Sequence, residues 1–317
     1  MKMKKLIAVL SMVSMVAVAA AGCGNGSDEQ AADTTETKAE ANTEDTKEAG
    51  AEAGDWDSSS DITIVSREDG SGTRGAFIEL FGIQEEMDGE KVDMTTEEAQ
   101  ITNSTSVMMT TVAGDEYAIG YISLGSLDES VKALKIDGAE ATAENVKSGD
   151  YKVSRPFNIA TKKDLDNEVA KDFINYIMSA EGQKVVEDNG YIAVEGAEAF
   201  EGTQPSGKAV VGGSSSVSPV MEKLAEAYKE VNPNAEIELQ TTDSTTGMTS
   251  AIDGSYDIGM ASRELKEEEI AELDAKVIAT DGIAVIVNNN NAMDELSSDQ
   301  VKAIYTGEAL TWEEVVE

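Results

Sequence analysis

The chain has 317 residues, enough for two packed units, and its 62 acidic against 24 basic residues give a net charge of −38. A charge of that sign repels phosphate backbones and anionic headgroups, which argues against nucleic-acid binding and electrostatic membrane binding. Histidine is absent, which removes Ser-His-Asp and Cys-His catalysis and His-ligated zinc, and the one cysteine, Cys23, cannot form an internal disulfide.

Met1 to Gly22 combine Lys2, Lys4 and Lys5 with an apolar run, Leu6 to Val18, too short to span a membrane as a helix. This is the pattern of an export signal. Ala20-Ala21-Gly22-Cys23 resembles a bacterial lipobox, so residues 1–22 read as a lipoprotein signal peptide and Cys23 as the lipidation site. The expected location is the extracellular face of the bacterial cytoplasmic membrane, reached through that lipid anchor. Residues 23–60 hold eleven acids, two lysines and one aromatic, Trp56. Such a composition buries too little apolar surface to fold and predicts an acidic disordered tether.

From Asp61 onward, short β-branched runs alternate with amphipathic stretches: Ile62 to Val65, Gly75 to Phe81, Ile119 to Ser123, Val169 to Met178. The second half repeats the alternation, with strands at Ala209 to Gly212, Glu236 to Gln240 and Ile283 to Val287 and a helix at Val220 to Val231. This is α/β patterning. An internal echo links Ser104 to Gly114 with Ser244 to Gly254, and Tyr117-Ala118-Ile119-Gly120 with Tyr256-Asp257-Ile258-Gly259. Each copy is a hydroxyl-capped helix, a glycine stop and a short strand, which predicts two similar lobes.

The densest candidate site is Ser66-Arg67-Glu68-Asp69-Gly70-Ser71-Gly72-Thr73-Arg74-Gly75, a glycine-rich turn between a strand and a helix. Such a turn aims backbone N–H groups at an anion. Ser71 and Thr73 add hydroxyls, Arg67 a planar fork, and Asp69 is placed to orient that fork. Gly70, Gly72 and Gly75 also satisfy the dinucleotide fingerprint, but no βαβ unit with an unambiguous acidic partner follows, so no cofactor is expected. Further donor loops lie at Gly213-Ser214-Ser215-Ser216-Val217, at Thr242-Asp243-Ser244-Thr245 and at Ala261-Ser262-Arg263. Several donor loops without a metal-ligand cluster or an activated nucleophile favour binding over catalysis.

These segments, with Ile304-Tyr305-Thr306-Gly307 and Phe173 to Gln183, resemble those of the phosphate-binding lipoproteins of bacterial high-affinity phosphate ABC importers. The resemblance implies a two-lobe, type II periplasmic-binding-protein-like α/β fold with the ligand in the cleft. It also implies inorganic phosphate as ligand and the membrane subunits of an ABC permease as partner. Arg67, Ser71, Gly72 and Thr73, then Ser216 and Val217, then Ser244 match the family's donors. Ser215, Thr245 and Ser262 stand beside them. Arg263 occupies the position where some members carry a proton-accepting aspartate, and so becomes a candidate to pair an anion oxygen itself. Other oxyanions (sulfate, molybdate, phosphonate) and a non-transport role as an extracellular phosphate sensor are the alternatives.

The order of the segments is inverted relative to the family, as a circular permutation would produce. The implied crossing strands are near Ser154 to Ala160 and Gly282 to Asn288. One lobe is then discontinuous, residues 61–156 plus 285–317, and the other continuous, 157–284. The expected unit is a monomer, with a half-exchanged dimer as its alternative.

Overall fold

The computed structural model describes residues 56–87 and 89–316. The expected signal peptide, the lipidation site Cys23 and the tether up to residue 55 lie outside the described residues. Thr63–Arg67 (β1) is a β-branched run flanked by two parallel neighbours, Gln100–Thr102 (β2) and Ala118–Ser123 (β3). Helices cover it on its faces, which is why nearly every residue of β1 and β3 is buried with no polar alternation. Helix α1 (Gly72–Leu80) follows β1, and α2 (Thr105–Ala113) follows β2.

The chain then enters Ser154–Lys162 (β4) and the helix pair Glu168–Ile177 (α3) and Ala180–Asp188 (α4). Gly207–Ser214 (β5), Ser218–Val231 (α5), Ala235–Thr242 (β6), Ser244–Asp253 (α6) and Ile258–Ala261 (β7) form a second parallel group, with β5 between β6 and β7. After Glu267–Glu272 (α7) comes the long strand Leu273–Val287 (β8), then Ser298–Thr306 (α8) and Trp312–Val316 (α9). The main sheet runs β6-β5-β7-β4-β8-β3-β1-β2.

Strand β8 joins the two groups. Leu273 to Gly282 pair antiparallel with β4, and Ile283 to Val287 pair antiparallel with β3. The buried apolar residues divide at the same point. One pair of cores draws on residues 62–153 and 283–315, around Phe77, Tyr121, Tyr305 and Trp312. The other pair draws on residues 157–279, around Phe157, Phe173, Leu224 and Tyr228.

Two sequence boundaries shift. Ile283 and Ala284, expected in the continuous lobe, pack in the discontinuous one, because their strand partners are Ser123 and Ile122. The tether was expected to run to residue 60, yet Trp56 stacks near Tyr117 and Trp312, with ring centroids 6.3 and 5.9 Å away. Glu313 N–H donates to Ser58 O at 2.7 Å, and Ile62 N–H to Leu310 O at 2.8 Å. The composition of residues 56–60 is polar, but a single large aromatic is enough to dock them. The first and last described segments therefore adjoin on one lobe.

Candidate functional site

The carboxyl ends of β1, β2, β5, β6 and β7 open onto one place, where the loops that follow them start helices. This is the position at which open α/β sheets gather ligand-binding groups. Ser71 caps α1 by accepting from Arg74 N at 3.3 Å. Ser104 caps α2 by accepting from Val107 N, and Asp243 caps α6 by accepting from Thr246 N. α5 begins without a side-chain cap, with Pro219 in its first turn. Its first turn thus has no capping side chain, while in the serine loop Ser216 N–H donates to Ser214 Oγ at 3.3 Å and Ser215 N–H to Thr242 O at 3.1 Å. Four helix N-termini converge, each carrying about half a positive elementary charge. Their sum is on the order of two charges, the right sign and size for a dianion.

Glycine permits the approach at two points. A Cβ on Gly72 would lie 2.9 Å from Ser262 Oγ and would overlap Ser244 Oγ as well, so a side chain here would hold α1 away from α6. A Cβ on Gly247 would lie 2.8 Å from Gly213 Cα and 2.8 Å from Met260 O, so α6 meets β5 backbone to backbone.

The cleft is closed, and a hydroxyl cluster bridges the two lobes. Thr73 Oγ1 lies 2.8 Å from Ser216 Oγ and 3.2 Å from Ser262 Oγ. Ser262 Oγ accepts from Ser214 Oγ–H at 2.9 Å, and Ser262 N–H donates to Ser244 Oγ at 3.1 Å. Thr105 Oγ1 is 3.4 Å from Ser215 Oγ and 3.3 Å from Ser216 Oγ. Thr245 N–H and Oγ1–H both donate to Gly70 O at 3.2 Å. Val217 is fully buried and its N–H donates to Ser214 O, so it shapes the serine loop.

Arg67 enters the cluster from the end of β1, with its side chain 2% exposed. Its Nη2–H donates to Ser215 Oγ at 3.1 Å across the cleft. Its Nε and Nη2 also grip Glu68 in a two-toothed pair, both at 2.8 Å. The backbone beneath it is held by Tyr121, whose hydroxyl accepts from Arg67 N at 3.2 Å and lies 2.9 Å from Ser66 Oγ. Burial pushes the Tyr121 phenol up to about 12, so it stays protonated and keeps this support across the physiological range.

Two expected site residues point elsewhere. Asp69 does not orient Arg67: its side chain is 98% exposed and pairs with Arg74 at 2.8 Å, while the neighbouring Glu68 takes the orienting part. Arg263 does not face the cluster with its charge: both guanidinium nitrogens, Nη1 and Nη2, are bonded to the Glu269 carboxylate at 2.8 Å, six residues on in α7. Only its Nη2 reaches back toward Thr245 Oγ1, at 3.5 Å. Among the described residues, no carboxylate is hydrogen-bonded to the hydroxyls of Thr73, Thr105, Ser214, Ser215, Ser216 or Ser262.

Two neighbours, Thr105 and Arg155, were missed as site residues, and Ser214 was named only as part of its loop. Thr105 starts α2 and answers the site candidate Thr245 in the internal echo, so carrying the echo through to function would have found it. Ser214 lies within the donor loop itself. Arg155 lies inside β4, a charged residue just before the buried strand residues Phe157, Ile159 and Ala160, and that placement was its signal. Its Nη1 is 2.5 Å from Asp281 Oδ2 and its Nη2–H donates to Thr73 Oγ1 at 3.3 Å. Burial pushes the Asp281 carboxyl up, against the pull of Arg155, the Ser123 hydroxyl and the Gly125 N–H. Among the described residues, no three His, Cys, Asp or Glu side chains gather as a metal site.

Comparison with known proteins agrees with this architecture. Residues 24–181 and 198–316 match the model of the PBP superfamily domain. The chain is 60% identical over 256 residues to the phosphate-binding protein PstS 2 of Streptococcus agalactiae, covering 80% of this chain and 87% of that one. The crystal structure of a phosphate ABC transporter phosphate-binding protein from Streptococcus pneumoniae superposes with a TM-score of 0.64 at 45% identity, over 81% of this chain and 100% of that one. The phosphate-binding protein PstS of Staphylococcus haemolyticus is 42% identical, but over 117 residues only, 34% of this chain and 37% of that one. The chain thus belongs to the PBP superfamily and, within it, to the family of phosphate-binding proteins that serve phosphate ABC transporters.

Proposed function

We propose that the protein captures inorganic phosphate in its cleft and delivers it to the membrane subunits of an ABC permease, acting as a binding protein and not as an enzyme. The observation that carries this reading is the convergence of four helix N-termini, their hydroxyls and the Arg67 fork on one buried point between two lobes. A tetrahedral anion with several acceptor oxygens satisfies such a donor set, and only the closed form lets both lobes donate to the same anion. Closure is then driven by the ligand.

The reading extends to the ends of the chain. The lipobox-like Ala20-Ala21-Gly22-Cys23 supports export and anchoring by lipid at the outer face of the cytoplasmic membrane. The joined first and last segments support a monomer whose halves are circularly permuted, since relinking needs termini that lie together. The staphylococcal relative, aligned over about a third of its length, fits the same explanation.

A second reading, capture of sulfate or another oxyanion, is favoured by one observation: Arg263 stands where some relatives place a proton-accepting aspartate, and it is turned to Glu269. Calorimetric titration of the purified protein with phosphate and then sulfate, with its mass measured in solution, separates the readings. One phosphate per monomer, with sulfate at least a hundredfold weaker, is the expected result. Comparable affinities would favour the wider oxyanion receptor, and no phosphate heat at all would overturn the proposal.

A further inference from the structure

Arg155 sits where β4 leaves the crossing between lobes, 3% exposed, with its guanidinium carbon 4.9 Å from the centre of the Phe157 ring. Its three nitrogens are used unequally. Nη1–H donates to Asp281 Oδ2 at 2.5 Å, Gly282 O at 2.7 Å and Asp281 O at 3.3 Å. Asp281, itself fully buried, is held in turn by Ser123 Oγ–H at 2.7 Å and Gly125 N–H at 3.1 Å from the other lobe. The inner end of the guanidinium is thus fixed at the hinge.

The Nε–Nη2 edge is different. Nη2–H reaches Thr73 Oγ1 at 3.3 Å, while Nε–H is buried with no acceptor among the described residues. In a planar guanidinium, Nε–H and one Nη2–H point the same way and form one two-toothed fork, the edge that Arg67 applies to Glu68. On Arg155 that fork has one tooth on a hydroxyl of the cluster, Thr73, which also touches Ser216 and Ser262. Its other tooth is an unsatisfied buried donor, which native structures rarely leave unpaired.

We propose that Arg155 is a second guanidinium of the anion site, presenting its Nε–Nη2 edge to the bound oxyanion beside Thr73, with Asp281 as its fixed counter-ion. The inference rests on the oxyanion-binding reading above and assigns to Arg155 the part that the sequence suggested for Arg263. Because Arg155 and Asp281 hold the strand crossing at Gly282, the anion meets a donor anchored in the hinge itself.

The test is the phosphate affinity of three proteins: wild type, Arg155→Lys, and the double variant Arg155→Met with Asp281→Leu. Lysine keeps the charge beside Asp281 but loses the planar fork. The double variant replaces the buried pair by an apolar one, a change that buried ion pairs often tolerate. Thermal melts without ligand report the fold of each. The expected result is that both variants melt close to wild type and bind phosphate at least tenfold more weakly. If Arg155 served only to brace the hinge, the double variant would bind within threefold of wild type, and that result overturns the proposal. Should the double variant not fold, Arg155→Lys decides alone: affinity within threefold of wild type rejects the contact. A wild-type protein that takes no phosphate overturns the phosphate reading together with this one, whereas unchanged variants of a binding wild type overturn this one only.

Discussion

Thr73 shows how much of the site is decided by single atoms. Its one hydroxyl meets Ser216, Ser262 and Arg155, so it touches both lobes and the hinge at once. Its neighbour Gly72 acts by having no side chain. The Cβ of Gly72→Ala would meet hydroxyls of the opposite lobe, so the cost of overpacking, about 1–3 kcal/mol, falls on the closed state. We expect Gly72→Ala to weaken phosphate binding tenfold or more while the ligand-free melting temperature stays within a few degrees. An equal loss in the ligand-free melt would show that the contact is part of the basic fold. At this scale the helix-start donors were legible in sequence, because an N-cap hydroxyl is placed by its own helix. The directions of Asp69, Arg263 and Arg155 were not. Arg155 is set by Asp281, a partner 126 residues away, while Asp69 and Arg263 are set by near neighbours, Arg74 and Glu269, whose side of the turn depends on the local fold.

Among the elements, α7 is short and carries the buried Glu269. Burial pushes the Glu269 carboxyl up, and the Arg263 fork with the Lys266 N–H more than offsets it, leaving its pKa below the ordinary 4.5. A carboxyl lowered in the folded state contributes stability that is complete above the unfolded value and is lost as pH falls through the folded one. Urea midpoints of wild type and Glu269→Gln should therefore differ most above about pH 5 and converge toward pH 3. A gap that persists undiminished at pH 3 would show that the pair's charge is not what stabilises α7. Strand β8 illustrates the limit of pattern reading. Ile283 to Val287 stood out as an unbroken apolar run, because both faces of that segment are covered. Leu273 to Gly282 carry Asp274, Lys276 and Asp281, and no strand was read there. Its role in spanning the two lobes follows from pairing with β4, a long-range contact that no local pattern encodes.

For the whole molecule, the two-lobe α/β organisation was legible because each lobe repeats the same strand and helix alternation. The meeting of the ends was not, since Trp56 lies in a stretch whose composition alone indicates a tether. If the permuted order is a rearrangement of an unchanged fold, the chain can be rearranged again. Joining residue 316 to residue 56 through a short linker and opening the chain within residues 201–206, which carry no regular structure and are mostly exposed, should give a protein that folds and binds phosphate within a few-fold of the original. A soluble product that binds nothing would show that the order of synthesis or the 201–206 connection is needed for the cleft to form.

The adjoining ends carry a mechanical consequence. Residues 56–62 and 310–316 brace one another on the same lobe, through Trp56 on Trp312 and the Asp61 to Thr311 bridge. A pull arriving at residue 56 is therefore taken up first by that lobe, in shear between two short segments remote in sequence from β4. Under the anchoring proposed above, the lobe built from residues 157–279 takes no part in that bracing and meets the braced lobe at the crossing strands and the hydroxyl cluster.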